Sequence, residues 1–264
     1  MSALWLLLVV ALVVAEIGWL VWRGRRRGPS EVQRRQWLDA DLPWRAWLSA
    51  EQGPRHLAHT ARLARRVHFH GCAGQTLDSR MINTVCGLAA LLTLRAREPL
   101  PTLRAVLIYP GPFWVPMDHP DEAGLVTDEE VLHSGLSEEN GRVLLSWDDV
   151  QQALIGAEHN VAVHEFAHQL DAMSGGEGAP VGAPAQAWAD VMQRAWAAFE
   201  QAPSPVIDDY ALEGPAEFFP VAVEAFFQRP SAMRAAHPEL FALLTDYFAL
   251  QPRPLFFEPS AHGA

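Results

Sequence analysis

The sequence predicts an α+β fold in which a small sheet sits mid-chain between helical regions, preceded by one apolar N-terminal helix. Three observations carry this. Short β-rich runs set off by proline and glycine gather between residues 105 and 147, helical periodicity fills most of the rest, and an apolar run opens the chain. With 264 residues, 50% of them hydrophobic and 19% charged, the composition fits one globular domain plus a short extra segment and excludes disorder.

The first element is the run from Ala3 to Trp22, broken only by Glu16 and followed at once by Arg23, Arg25, Arg26 and Arg27. At 1.5 Å per residue such a run spans a hydrocarbon core of about 30 Å, so a transmembrane helix is expected there. It lacks a basic leader and a small-residue cleavage site, which favours an uncleaved anchor over a signal peptide. The arginine cluster behind it places the rest of the chain on the cytoplasmic side of the inner membrane. Free Cys72 and Cys86 agree with a reducing compartment. The expected organisation is therefore an anchor with its basic flank over 1–27, a linker over 28–41, one domain over 42–252 and a tail over 253–264.

Within the domain, Leu57, Ala61 and Ala64 recur at helical spacing among Arg55, Arg62, Arg65 and Arg66, which predicts a helix over 54–66 with a basic face suited to solvent or an anionic membrane. A largely apolar helix is expected over 78–94. His68, His70 and Cys72, between the two, have no clustered partner and are expected in loop or packing roles. The runs 105–109, 113–115 and 143–147 predict strands. Ser146 stands ahead of Asp148 and Asp149 as the N-cap of a following helix. Further helices are expected at about 159–172, 185–201, 215–228 and 238–250.

Composition narrows the chemistry before any motif does. All 20 basic side chains are arginine, which removes Schiff-base catalysis and the lysine of phosphate-binding loops. The net charge of −11 argues against nucleic acid as a partner. Two cysteines exclude a disulfide framework and a thiolate zinc site, so any metal must rest on histidine and carboxylate.

Such a set appears at 164–168, where His164, Glu165 and His168 form H-E-x-x-H. On a helix, residues i and i+4 share a face, so the two imidazoles can converge on one zinc ion while Glu165 reaches a water beside it. Val163, Phe166, Ala167 and Leu170 form an apolar stripe on the same helix, and His164, His168 and Asp171 a second stripe about a quarter turn away. Asp171 suits either a hydrogen bond to a ligand imidazole or the end of the helix before the glycines at 175, 176 and 178. Catalytic zinc needs a third protein ligand, and the H-E-x-x-H-x-x-G-x-x-H arrangement is excluded because Asp171 and Ser174 hold its last glycine and histidine positions. A carboxylate from a later helix is expected, with Glu213, Glu217 and Glu224 as candidates. Glu217 and Glu224 share a helical face, and spacing alone does not choose among the three.

The motifs FHGCAG at 69–74, VLIYP at 106–110, VLLSWDDV at 143–150, HNVAVHEFAHQLD at 159–171, and Tyr210 followed by PAEFF at 215–219 occur in this order. By them the chain resembles the zinc-dependent peptidases related to the Mlc titration factor over most of residues 42–250. The resemblance implies a zincin-like domain with an H-E-x-x-H active-site helix and one zinc ion per chain. It implies His164, His168 and Glu217 as metal ligands, Glu165 as catalytic base and Tyr210 as an active-site tyrosine that can donate to an oxyanion. Pro220, where the family has a small residue, is a departure that can kink the helix bearing Glu217.

The function expected is that of a membrane-anchored, cytoplasm-facing zinc metallopeptidase acting on a peptide or protein substrate, with aminopeptidase action as one form. The alternative is a regulatory zinc protein that binds and sequesters a protein partner such as a transcriptional repressor. A third reading, a membrane adaptor without metal, requires the motif to be coincidence.

Overall fold

A computed structural model describes residues 28–116, 130–174 and 185–253. The chain opens with α1 (Glu31–Asp41), a 3₁₀ turn (Pro43–Trp47) and α2 (Gln52–Arg66), followed by β1 (His68–Gly71), α3 (Ser79–Leu92) and β2 (Ala105–Tyr109). Strands β3 (Phe113–Pro116), β4 (Glu130–His133), β5 (Gly135–Glu138) and β6 (Arg142–Ser146) come next. The remaining helices are α4 (Trp147–Leu154), α5 (Val161–Ala172), α6 (Ala185–Gln201), α7 (Pro215–Gln228), α8 (Pro230–Ala236) and α9 (Pro238–Phe248), with a 3₁₀ turn (Asp209–Glu213) ahead of α7.

The main sheet has the order β1-β2-β6-β5, and β3 pairs with β4 in a separate two-stranded ribbon. Strands β1, β2 and β6 run parallel, and β5 is antiparallel to β6. This corrects the α+β expectation: the fold is mixed α/β, because β1 and β2 are joined through helix α3, the kind of crossover that a parallel pair requires. The pairing is long-range, and β1 carries only Phe69 as an apolar signal.

No helix among the described residues is long and apolar enough to cross a membrane. The expected transmembrane helix over 3–22 lies outside the described residues, so the single-pass anchor and the inner-membrane, cytoplasm-facing location that rested on it are withdrawn. The basic face of α2 is likewise engaged within the protein: Arg62 pairs with Glu98, Arg66 donates to the carbonyls of Pro99 and Leu100, and Arg55 donates to that of Leu94. Within the segment 28–41, whose reading as a linker allows one short helix, residues 31–41 form α1, whose Leu38 is buried and whose Arg34 Nε donates to Asn83 Oδ1 of α3 at 2.7 Å.

The core lies between the helices and one face of the sheet. Val106 and Ile108 of β2 alternate into it, as do Val143 and Leu145 of β6. Helix α3 is buried around most of its circumference, which explains its apolar sequence; Asp78 caps it by accepting from Met81 N. Ser146 ends β6 and accepts from Asp149 N, turning the chain directly into α4. Against this frame pack α5 and then α7, with Phe166, Phe218, Phe219 and Phe226 all buried.

The β5–β6 connection depends on Gly141. It has φ +83°, and its carbonyl accepts from the backbone N–H groups of Arg104 and Ala105, which aligns β2 with β6. A Cβ there would collide with the carbonyl oxygen of Thr102. Gly141→Ala should therefore destabilise the fold by about 2 kcal/mol or more, through both the left-handed backbone and the clash. Thermal or denaturant unfolding of the purified variant measures this, and unchanged stability would show that the turn relaxes freely.

Candidate metal centre

Helix α5 begins at Asn160, whose side chain accepts from Val163 N at 3.1 Å. Its apolar stripe, Val163, Phe166, Ala167 and Leu170, is buried in the core. With that stripe fixed, His164 and His168 face the first turn of α7, where Glu217 sits. An acidic side chain is favoured in that position by the helix dipole.

His164 Nε2, His168 Nε2 and Glu217 Oε2 lie 3.1 Å from one another in every pair. They are the one group among the described residues whose ligand atoms converge as a metal requires. Four ligands at zinc bond lengths of about 2.0–2.1 Å in a tetrahedron lie about 3.3 Å apart, so the triangle has the size the ion needs. Two imidazole nitrogens facing a carboxylate at this spacing form a group that could hold a metal ion.

The other face of His164 is fixed as well. Its Nδ1 donates to Glu224 Oε1 at 2.7 Å, and Glu224 Oε2 accepts from the Asn160 backbone N–H at 2.6 Å. Glu224 thus holds the tautomer that leaves the Nε2 lone pair free for a metal. The sequence offered Glu224 as a possible third ligand; the structure places it behind His164 instead. Glu213 lies in the 3₁₀ turn outside the converging group. Asp171 is buried at the end of α5, and the partner of His164 Nδ1 is Glu224 rather than Asp171. His68 and His70 sit on the edge strand β1, exposed and away from the group. Helix α7 continues through Pro220 without a break, and Glu217 keeps its aim.

Burial opposes a charge on His164, but its bonds to Glu217 and Glu224 outweigh this and carry its pKa up to about 10. Burial would raise Glu217 too; the two histidines win and hold it at about 2. Both shifts are set, against burial, by the close opposition of imidazole and carboxylate. Glu165, bonded to neither histidine, responds differently: burial pushes it up to about 7 against the pull of both imidazoles.

Glu165 lies against the backbone of β5. A Cβ on Gly135 would collide with Glu165 Oε1 and Val161 Cγ2, and would stand 2.8 Å from Glu165 Cγ. Gln169 Nε2 donates to Ser137 Oγ at 2.7 Å and to the Glu138 carbonyl at 3.1 Å, pinning β5 beside α5. Neither Gly135 nor Gln169 was foreseen, because a glycine in a short polar strand carries no periodic signal. Tyr210 stands in the 3₁₀ turn, where Asp208 Oδ1 accepts from its backbone N–H at 2.8 Å. Its ring centroid is 5.8 Å from that of His164, and burial together with the nearby Glu217 and Glu165 raises the phenol to about 12. His164, Glu165, Tyr210 and Gly135 line one cleft of about 470 Å³.

Comparison with known proteins agrees with this arrangement. The family model of the glucose-regulated metallo-peptidases M90 matches residues 19–249. An uncharacterized protein of Synechocystis sp. is 29% identical, covering 94% of this chain and 95% of its own length. The Mlc titration factor A of Yersinia enterocolitica is 30% identical, with 88% and 91% covered. That of Serratia proteamaculans is 28% identical, with 88% and 93% covered. The match spans the whole described fold and the converging histidines and carboxylates, and the chain belongs to the M90 metallopeptidase family, the family related to the Mlc titration factor.

Proposed function

We propose that the protein is a zinc-dependent peptidase in which His164, His168 and Glu217 hold one zinc ion, Glu165 is the catalytic base and Tyr210 assists at the oxyanion. The convergence of the three ligand atoms at 3.1 Å, with a non-bonded carboxylate next to them, carries this reading. Three protein ligands leave a coordination position open, as catalytic zinc sites require and closed structural sites do not. Bound zinc supplies acidified water and polarisation of the substrate carbonyl.

The chain's own residues carry the proton transfers. Glu165, held against Gly135, accepts a proton from the attacking water as its oxygen bonds to the peptide carbon. The same carboxyl then delivers that proton to the departing nitrogen as the C–N bond breaks, and the remaining hydroxyl proton of the new carboxyl group passes to the amine, leaving an ammonium and a carboxylate. The Tyr210 phenol, protonated and over the His164 ring, donates a hydrogen bond to the oxygen that gains charge. Glu224 takes no part in these transfers; it fixes the orientation of His164. Among the described residues β5 pairs only with β6, so its outer edge beside Glu165 is open to an extended peptide.

A second reading has support in the names of the relatives, Mlc titration factor A. Binding of a regulatory protein partner is compatible with peptidase action, and the retained base distinguishes this site from one that keeps zinc only as structure.

Glu165→Gln should lower peptide hydrolysis by about 10²- to 10⁴-fold while about one zinc per chain remains. Peptide cleavage assayed alongside metal content decides it, and normal turnover would refute the proposed base. Gly135→Ala should displace Glu165 and lower kcat at least about tenfold with zinc retained; full activity would show that the close approach is dispensable. For the metal, Glu217→Ala should abolish stable zinc binding, whereas Glu224→Gln should weaken it by about 10- to 100-fold. Competition with a zinc chelator ranks the two, and the opposite order would exchange their roles.

A further inference from the structure

The ribbon formed by β3 and β4 leads straight into the site: β4 ends at His133, and after Ser134 the chain enters β5 at Gly135, beside Glu165. One face of the ribbon is anchored. Phe113 is buried and stacks on Tyr109 at 4.3 Å between ring centroids. Because strand residues alternate between faces, anchoring Phe113 turns its neighbour Trp114 outward. Trp114 lies directly opposite Leu132 in the antiparallel register, so the two share that outer face. They are 61% and 52% exposed, and Leu132 lines the same cleft as His164 and Glu165. An exposed apolar pair at the rim of this cleft, with Leu132 lining it, marks a place where a ligand is bound. The other flank of the cleft bears Asp149 and Asp208, which disfavour an acidic occupant.

We propose that Trp114 and Leu132 form an apolar wall that receives a large apolar side chain of the peptide substrate, so that the enzyme selects leucine, phenylalanine or methionine at a fixed position from the cleaved bond. This deepens, and rests on, the peptidase reading. The anchored Phe113 gives the wall a fixed position relative to the main sheet, and β5 gives the substrate backbone a matching edge. Apolar contact with a single methylene of a substrate is worth roughly 10- to 200-fold in discrimination.

The test uses the zinc-loaded full chain and paired peptides that differ only by leucine or alanine at each position around the cleaved bond. At one position the leucine peptide should be cleaved with at least about tenfold higher kcat/KM. Trp114→Ala should bring that ratio close to one, and Trp114→Phe should restore most of it. In parallel, binding of the same peptides to the Glu165→Gln protein should show the same preference and lose it when Trp114→Ala is added. Cleavage with no leucine preference, or a preference that Trp114→Ala leaves intact, overturns the wall and leaves the peptidase standing. Absence of cleavage by the wild type, with leucine-dependent binding that needs Trp114, overturns the peptidase reading and keeps the wall as a peptide-binding surface. Neither cleavage nor selective binding overturns both.

Discussion

One buried carboxylate ties the site together. Glu224 of α7 accepts from His164 Nδ1 and from the backbone N–H of Asn160, so it grips both a ligand side chain and the start of the helix that bears it. Burying a carboxylate is costly unless its oxygens are satisfied, and here each oxygen has a donor. The fold thereby fixes where α7 crosses α5. Seven residues before Glu224, about 10.5 Å along the helix, Glu217 reaches the opposite nitrogen of the same imidazole. A single helix thus holds His164 at both ends, and the position of His168 follows from the turn of α5.

Helix α5 must satisfy two demands that compete for its surface. Its apolar stripe has to be buried against α3, the sheet and α7, while its polar stripe has to meet the cleft. The two are compatible because they lie about a quarter turn apart. Strand β5 flanks α5, bonded to Gln169 and bare of a side chain at Gly135, which lets Glu165 approach the backbone. His164, Glu165, His168 and Glu217 thus stand on regular elements whose positions are set by packing.

Charge is distributed to match. Glu217 is held ionised by two histidines, whereas Glu165, two turns of chemistry apart in role though adjacent in sequence to His164, is pushed toward neutrality by burial. The phenol of Tyr210 enters from a separate 3₁₀ turn, capped by Asp208, that leads directly into α7.

By itself the sequence determined the local matters: the H-E-x-x-H helix with its buried stripe, the Ser146 cap, the apolar α3 and the helix carrying both Glu217 and Glu224. Each of these is written within a dozen or so neighbouring residues as a period, a cap or a spacing. The family resemblance added the choice of Glu217, which spacing had left open. Only the tertiary structure decided that Glu224 stands behind His164, that Gly135 makes room for Glu165, and that β1, β2 and β6 run parallel in a mixed α/β sheet. It also showed that arginines of α2, read from the sequence as a face for solvent or for an anionic membrane, bond to the loop after α3. In each case the deciding contact joins residues far apart in the chain: Glu224 lies 60 residues from His164 and Arg66 34 from Leu100. Hydrophobic periodicity records which face of an element is buried, but it does not record which distant element covers that face.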